Sequence, residues 1–86
     1  MIDDIRYLLV FARIVETGSV SGAAAALQLS AATVSSHLSK LELSMGTALL
    51  YRNTRKLSLT PAGAKLYTSA QAMQQLYADE VLAFKH

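Results

Sequence analysis

Residues 31–40 read AATVSSHLSK, and their types divide between two sides of a helix. Val34 and Leu38, continued by Leu41, recur at helical spacing and form an apolar side. Opposite them lie Ala31, Ala32, Thr33, Ser35, Ser36, His37, Ser39 and Lys40, all small, polar or basic. Methyls, hydroxyls and an ammonium on one slender helix suit close approach to base edges and phosphates. An ordinary helical hairpin with a wet polar side has the same pattern, and a helix-turn-helix match taken alone separates the two poorly.

The elements that must position this segment strengthen the first reading. Gly18 suits a left-handed stop to a preceding helix, and Ser19 suits the N-cap of the next. Ala23 to Ala26 have no bulk, so another helix can approach closely. Gln28-Leu29-Ser30 reads as the turn, with Leu29 facing in and Ser30 capping the helix that follows. Upstream, Ile5, Leu8, Phe11, Ile14 and Val15 line one side of an amphipathic helix, with Asp3 or Asp4 at the end where the helix dipole favours acids. The third helix is expected to run to about Met45 and stop at Gly46, with Leu43 and Met45 extending its apolar content.

After Gly46 the period changes. Ala48 to Tyr51 and Leu57 to Leu59 read as two short strands around the basic tip Arg52-Asn53-Thr54-Arg55-Lys56. Such a hairpin beside a helix-turn-helix is a wing, suited to laying guanidinium groups along the sugar-phosphate backbone or in a minor groove. Thr60-Pro61 marks a helix start, with Thr60 as N-cap and Pro61 at the first helical position. From there to about Phe84 the chain reads as one long helix. Its apolar stripe of Leu66, Ala70, Met73, Leu76, Tyr77, Val81 and Phe84 is longer than a small domain can cover, which points to a dimer.

Composition bounds the rest. The 86 residues form one small domain, 52% hydrophobic, with two Phe and no Trp for large core pieces. Cysteine is absent, so a disulfide framework and a thiolate metal site are excluded. A zinc site would need His37 with His86 at a frayed end, and no metal is expected. No apolar run approaches the roughly 20 residues of a membrane span, and the acidic start is no secretory signal, so a cytoplasmic location is expected. From Ala31 to Lys65 the basic residues Lys40, Arg52, Arg55, Lys56 and Lys65 face Glu42 alone, a local charge of +4 against +2 for the whole chain. That concentration fits a nucleic-acid face, although a solvated surface accounts for it too. Six acids and two histidines assemble neither a nucleophilic triad, nor a carboxylate pair flanking a cleft, and the chain has no glycine-rich phosphate loop, so no enzyme is expected.

These residues resemble the DNA-binding domain of LysR-type transcriptional regulators, which are bacterial winged helix-turn-helix proteins. The resemblance is carried by Leu8-x-x-Phe11, Glu16-Thr17-Gly18-Ser19-Val20-Ser21, Ala23-Ala24, Leu29-Ser30 and Val34-Ser35. It continues through Leu38-x-x-Leu41-Glu42, Gly46-x-x-Leu49-Leu50, Arg52-x-x-Arg55 and Leu59-Thr60-x-Ala62-Gly63. It implies a mainly α fold: three helices plus a short β-hairpin wing over residues 1–60, with the helix-turn-helix at about 19–39 and the wing at about 48–59. A long linker helix over 61–86 follows.

The resemblance further implies sequence-specific binding of double-stranded DNA to regulate transcription, the recognition helix in the major groove and the basic wing in the minor groove. It implies a homodimer through the linker helix, a palindromic operator, no membrane partner and a nucleoid-associated location. Family members carry a second domain for a small-molecule inducer; none of it is expected in these residues, and no cofactor is expected. Base contacts are assigned to Ala31, Ala32, Ser35, Ser36 and Arg55, and backbone contacts to Ser30, Thr33, His37, Lys40, Arg52, Lys56 and Thr60. The family often has Gln-Pro where this chain has Ala31-Ala32, and Arg where it has Ser36, so direct readout is expected to be modest. The competing reading is a winged-helix protein-interaction module without sequence-specific DNA binding.

Overall fold

A computed structural model describes residues 5–52 and 57–85. The element order is α1 (Ile5–Thr17), α2 (Val20–Leu27), α3 (Ala31–Met45), β1 (Leu50–Arg52), β2 (Leu57–Leu59) and α4 (Pro61–Lys85). This is the expected winged helix-turn-helix followed by a long helix. Asp3, Asp4, Asn53, Thr54, Arg55, Lys56 and His86, which carried several of the expectations above, lie outside the described residues.

Capping side chains set the helix limits. Gly18 takes a left-handed φ of 82°, and Ser19 caps α2 by accepting from the Gly22 N–H at 2.8 Å. Ser30 caps α3 by accepting from the Thr33 N–H at 3.0 Å, and Gly46 ends it at φ 72°. Between α2 and α3 the left-handed residue is Gln28, at φ 59°, with the Leu29 N–H donating to the Ala24 carbonyl. A non-glycine residue in this region is uncommon and strained. Gln28→Gly is therefore expected to raise stability by about 0.5–1 kcal/mol, read as a higher urea midpoint. An unchanged or lower midpoint would show that the Gln28 side chain stabilises the turn.

Phe11, Ile14, Val34, Leu41 and Leu49 are fully buried where α1, α3 and the start of the hairpin meet. Ala23 and Ala24 are buried at the crossing of α2, as their lack of bulk suggests. Tyr67 of α4 sets its ring edge-on to Phe11, with centroids 6.5 Å apart. Burying each large apolar side chain contributes roughly 1.5–3 kcal/mol, so Phe11 and its neighbours dominate the stability of so small a domain.

Four expectations are corrected. Leu29 does not face in: it is 40% exposed, because the left-handed Gln28 turns the chain outward before Ser30. Leu43 is 83% exposed, since at about 100° per residue it falls on the side of α3 opposite Val34, Leu38 and Leu41; Met45 is half-exposed at the helix end. The first strand begins at Leu50 rather than Ala48, because the Ala48 carbonyl and the Leu49 N–H are engaged by Thr60 and Glu42 instead. Ala70 is fully buried within this chain, and Leu66 packs against the same core, so the first half of α4 belongs to the domain it follows.

Candidate nucleic-acid interface

At about 100° per residue, Val34, Leu38 and Leu41 bury one side of α3 and aim the other outward. Ala31, Ala32, Ser35, Ser36, Ser39 and Lys40 are all exposed there. Ala32 and Ser36 stand most directly opposite the core, whereas Ala31 and Ser35 lie on the flank shared with Glu42. Thr33 and His37 occupy the flank that meets α1. Ser30 stays exposed at the entry, its hydroxyl donating to Thr33 Oγ1 at 2.8 Å.

Glu42 fastens the wing beside this face. Its carboxylate accepts from the Leu49 N–H at 2.7 Å, from the Leu50 N–H at 3.4 Å and from the Arg52 guanidinium at 2.5 Å. Its own carbonyl accepts from the Thr47 N–H at 3.2 Å. One side chain thus binds the segment entering β1 and holds the exposed Arg52 beside the last turn of α3. β1 and β2 pair antiparallel, Leu50 with Leu59, Tyr51 with Ser58 and Arg52 with Leu57. Sequence reasoning had Glu42 as a countercharge and as part of the Leu38-x-x-Leu41-Glu42 element, without a role in holding the hairpin. The available signal was its being the sole acid between Ala31 and Lys65.

Two expected backbone contacts are placed elsewhere. Thr60 is buried, with its hydroxyl donating to the Ala48 carbonyl at 2.8 Å and accepting from the Gly63 N–H at 2.9 Å. It caps α4 and ties it to the hairpin, and has no exposed oxygen for a phosphate. His37 does not stand open on the polar side: its ring packs on Tyr7 of α1, centroids 4.7 Å apart, and its Nδ1 is buried without a hydrogen-bond partner. Lys40 places its Nζ 5.9 Å from the centre of the same Tyr7 ring. Tyr7 was missed because a contact between α1 and α3 leaves no trace in local spacing.

Along α4, Met73, Leu76, Tyr77 and Phe84 are exposed and Val81 is half-buried. Leu82, outside the expected stripe, is exposed too. Between α1 and α4 a groove of about 900 Å³ is lined by Ile5, Leu9, Met73 and Tyr77 among others. Among the described residues no single helix is long and apolar enough to cross a membrane, and no His, Asp and Glu cluster has metal-binding geometry.

The family profile described as bacterial regulatory helix-turn-helix protein, lysR family, matches residues 5–64. The chain is 46% identical over 66 residues to a probable hydrogen peroxide-inducible genes activator of Mycobacterium avium, covering 77% of this chain and 21% of that protein. It is 39% identical over 82 residues to the HTH-type transcriptional activator AaeR of Escherichia coli, covering 86% of this chain and 26% of the relative. It thus spans about a quarter of the length of these relatives. Among solved structures, a BenM DNA-binding domain in complex with catB site 1 DNA is similar, with TM-score 0.87 and 29% identity over 95% of this chain and 91% of that one. Full-length LysG of Corynebacterium glutamicum with bound effector Arg gives TM-score 0.86 at 29% identity, covering 95% of this chain and 28% of LysG. A fold of three helices, hairpin and long helix, joined to a profile match over most of its length, places the chain in the lysR family of bacterial regulatory helix-turn-helix proteins.

Proposed function

We propose that this chain is the part of a transcriptional regulator that binds specific double-stranded DNA, α3 in the major groove and the wing against the minor groove. The observation that carries the reading is the outward face of α3. It is open along Ala31, Ala32, Ser35 and Ser36, with Lys40 and the Glu42-held Arg52 further along the helix on its two flanks. An α-helix fits a major groove about 12 Å wide, and from Ala31 to Ser39 the outward face carries nothing bulkier than serine. The DNA complex of the similar BenM domain supports it. Ser30, Thr33, Lys40 and Arg52 are the backbone-binding side chains in this reading, and Lys56 and the minor-groove Arg55 complete it.

Two copies meet through the exposed end of α4, where Met73, Leu76, Tyr77 and Phe84 are exposed and Val81 is half-buried. Paired reading helices then address a palindromic operator in the bacterial cytoplasm, with half-sites about 34 Å or a multiple of it apart. The DNA-binding part needs no cofactor, and a small-molecule inducer acts on a separate domain of a longer regulator.

The test is gel-shift titration against genomic fragments at 50 and 200 mM salt. Affinity is expected to fall by more than roughly tenfold between them, as phosphate-bound counterions are released. Absence of any shift at the lower salt would favour a protein-interaction module instead.

A further inference from the structure

Resting on the major-groove reading just given, we infer that this chain recognises its target chiefly through thymine 5-methyl groups, with Ala32 the central reader. Strong discrimination in a major groove ordinarily comes from side chains that reach two atoms of one base, or that accept from the cytosine amino group. On α3 the groups with that capacity are His37, Lys40 and Glu42, and each is directed elsewhere. The His37 ring lies against Tyr7, and the Lys40 ammonium sits over the same ring on the α1 flank. The Glu42 carboxylate is taken up by two backbone amides and Arg52.

Hydroxyls and methyls remain. Ser35, Ser36 and Ser39 are exposed, but a serine hydroxyl both donates and accepts and so bonds to any base with little preference. Leu43 is exposed on the same outward side, yet it lies about 16 Å beyond Ala32 along the axis, away from the end that leads into the groove. The exposed methyls of Ala31 and Ala32 occupy the first turn, where bases are met. The apolar group they can recognise on a base edge is the C5 methyl of thymine.

A duplex enriched from a randomised pool by the full 86-residue chain provides the probe. It is resynthesised with uracil for thymine, and separately with 7-deazaguanine for guanine, and binding is followed by fluorescence anisotropy. Uracil is expected to weaken binding about fourfold for each contacted methyl, the worth of one buried methyl-sized group. Supplying that methyl on 5-methylcytosine, paired with guanine at the sensitive position, should recover the loss. Loss of the guanine N7 should change affinity by less than about twofold, because no two-point donor on α3 is directed at it.

Ala32→Gly separates contact from structure. A merely structural effect weakens binding to the thymine and uracil duplexes alike, whereas the contact predicts that the gap between them closes by about fourfold. Sensitivity to 7-deazaguanine with indifference to uracil, or an unchanged gap in Ala32→Gly, would overturn the inference and leave DNA binding standing. Failure to enrich any duplex would overturn both.

Discussion

Alanine in place of Gly63 is expected to lower the unfolding free energy by about 3 kcal/mol, although the same exchange in an open helix gains stability. The added Cβ would fall on the Leu49 carbonyl oxygen, with the carbonyl carbon at 2.9 Å and Leu59 Cδ2 at 3.2 Å. Neither backbone has room to retreat. The Leu49 carbonyl accepts from the Thr60 N–H at 3.1 Å, and Thr60 Oγ1 bridges the Ala48 carbonyl and the Gly63 N–H. The glycine is required by this close approach of α4 to the hairpin, since Gly63 is not among the residues with positive φ. Thermal unfolding should shift down by roughly 12–24 °C, at 4–8 °C per kcal/mol for a domain of this size. A melting temperature equal to or above the parent's would mean that α4 does not approach the hairpin there.

Loss of the Glu42 carboxylate should be the next most damaging change. Its side chain is only 12% exposed, and Glu42→Ala strands two amide donors as well as Arg52. Charge-assisted bonds to partly buried amides are worth about 1.5–3 kcal/mol, so a total loss of about 2–3 kcal/mol is expected in urea titration. Arg52→Ala provides the contrast. Its side chain is 52% exposed, and deleting it removes only a solvent-facing ion pair worth about 0–1 kcal/mol. If both variants lost equal stability, the ion pair rather than the amides would be what Glu42 contributes.

Glu42 also shows where reading the chain residue by residue reaches its limit. Features that act within one turn were legible: Ser19, Ser30 and Thr60 cap the helices they precede, Gly18 and Gly46 close those they follow, and Val34, Leu38 and Leu41 are buried. Features that depend on two distant segments were not. Glu42 reaches seven to ten residues ahead, Tyr7 meets His37 from another helix, and Thr60 turns inward because the Ala48 carbonyl awaits it. The apolar stripe of α4 was read as one surface, yet packing divides it: Ala70 belongs inside, and Tyr77 faces out. Periodicity identifies a stripe without saying where along its length the domain ends. The exposed readers Ala31, Ala32, Ser35 and Ser36 were found because the opposite side of α3 is so plainly apolar.

α4 runs for 25 residues, and from position 64 to its end it contains neither glycine nor proline. At 1.5 Å per residue it is a rod about 37 Å long, rooted among the core residues at Ala70 and pinned at its base by Thr60. Sharp bends in helices arise at proline, glycine or an inserted side chain, and this one has no such joint. A helix without such a joint keeps its exposed end at a set reach from its root, so where Phe84 stands is decided by how α4 is seated on α1 through Tyr67 and Phe11.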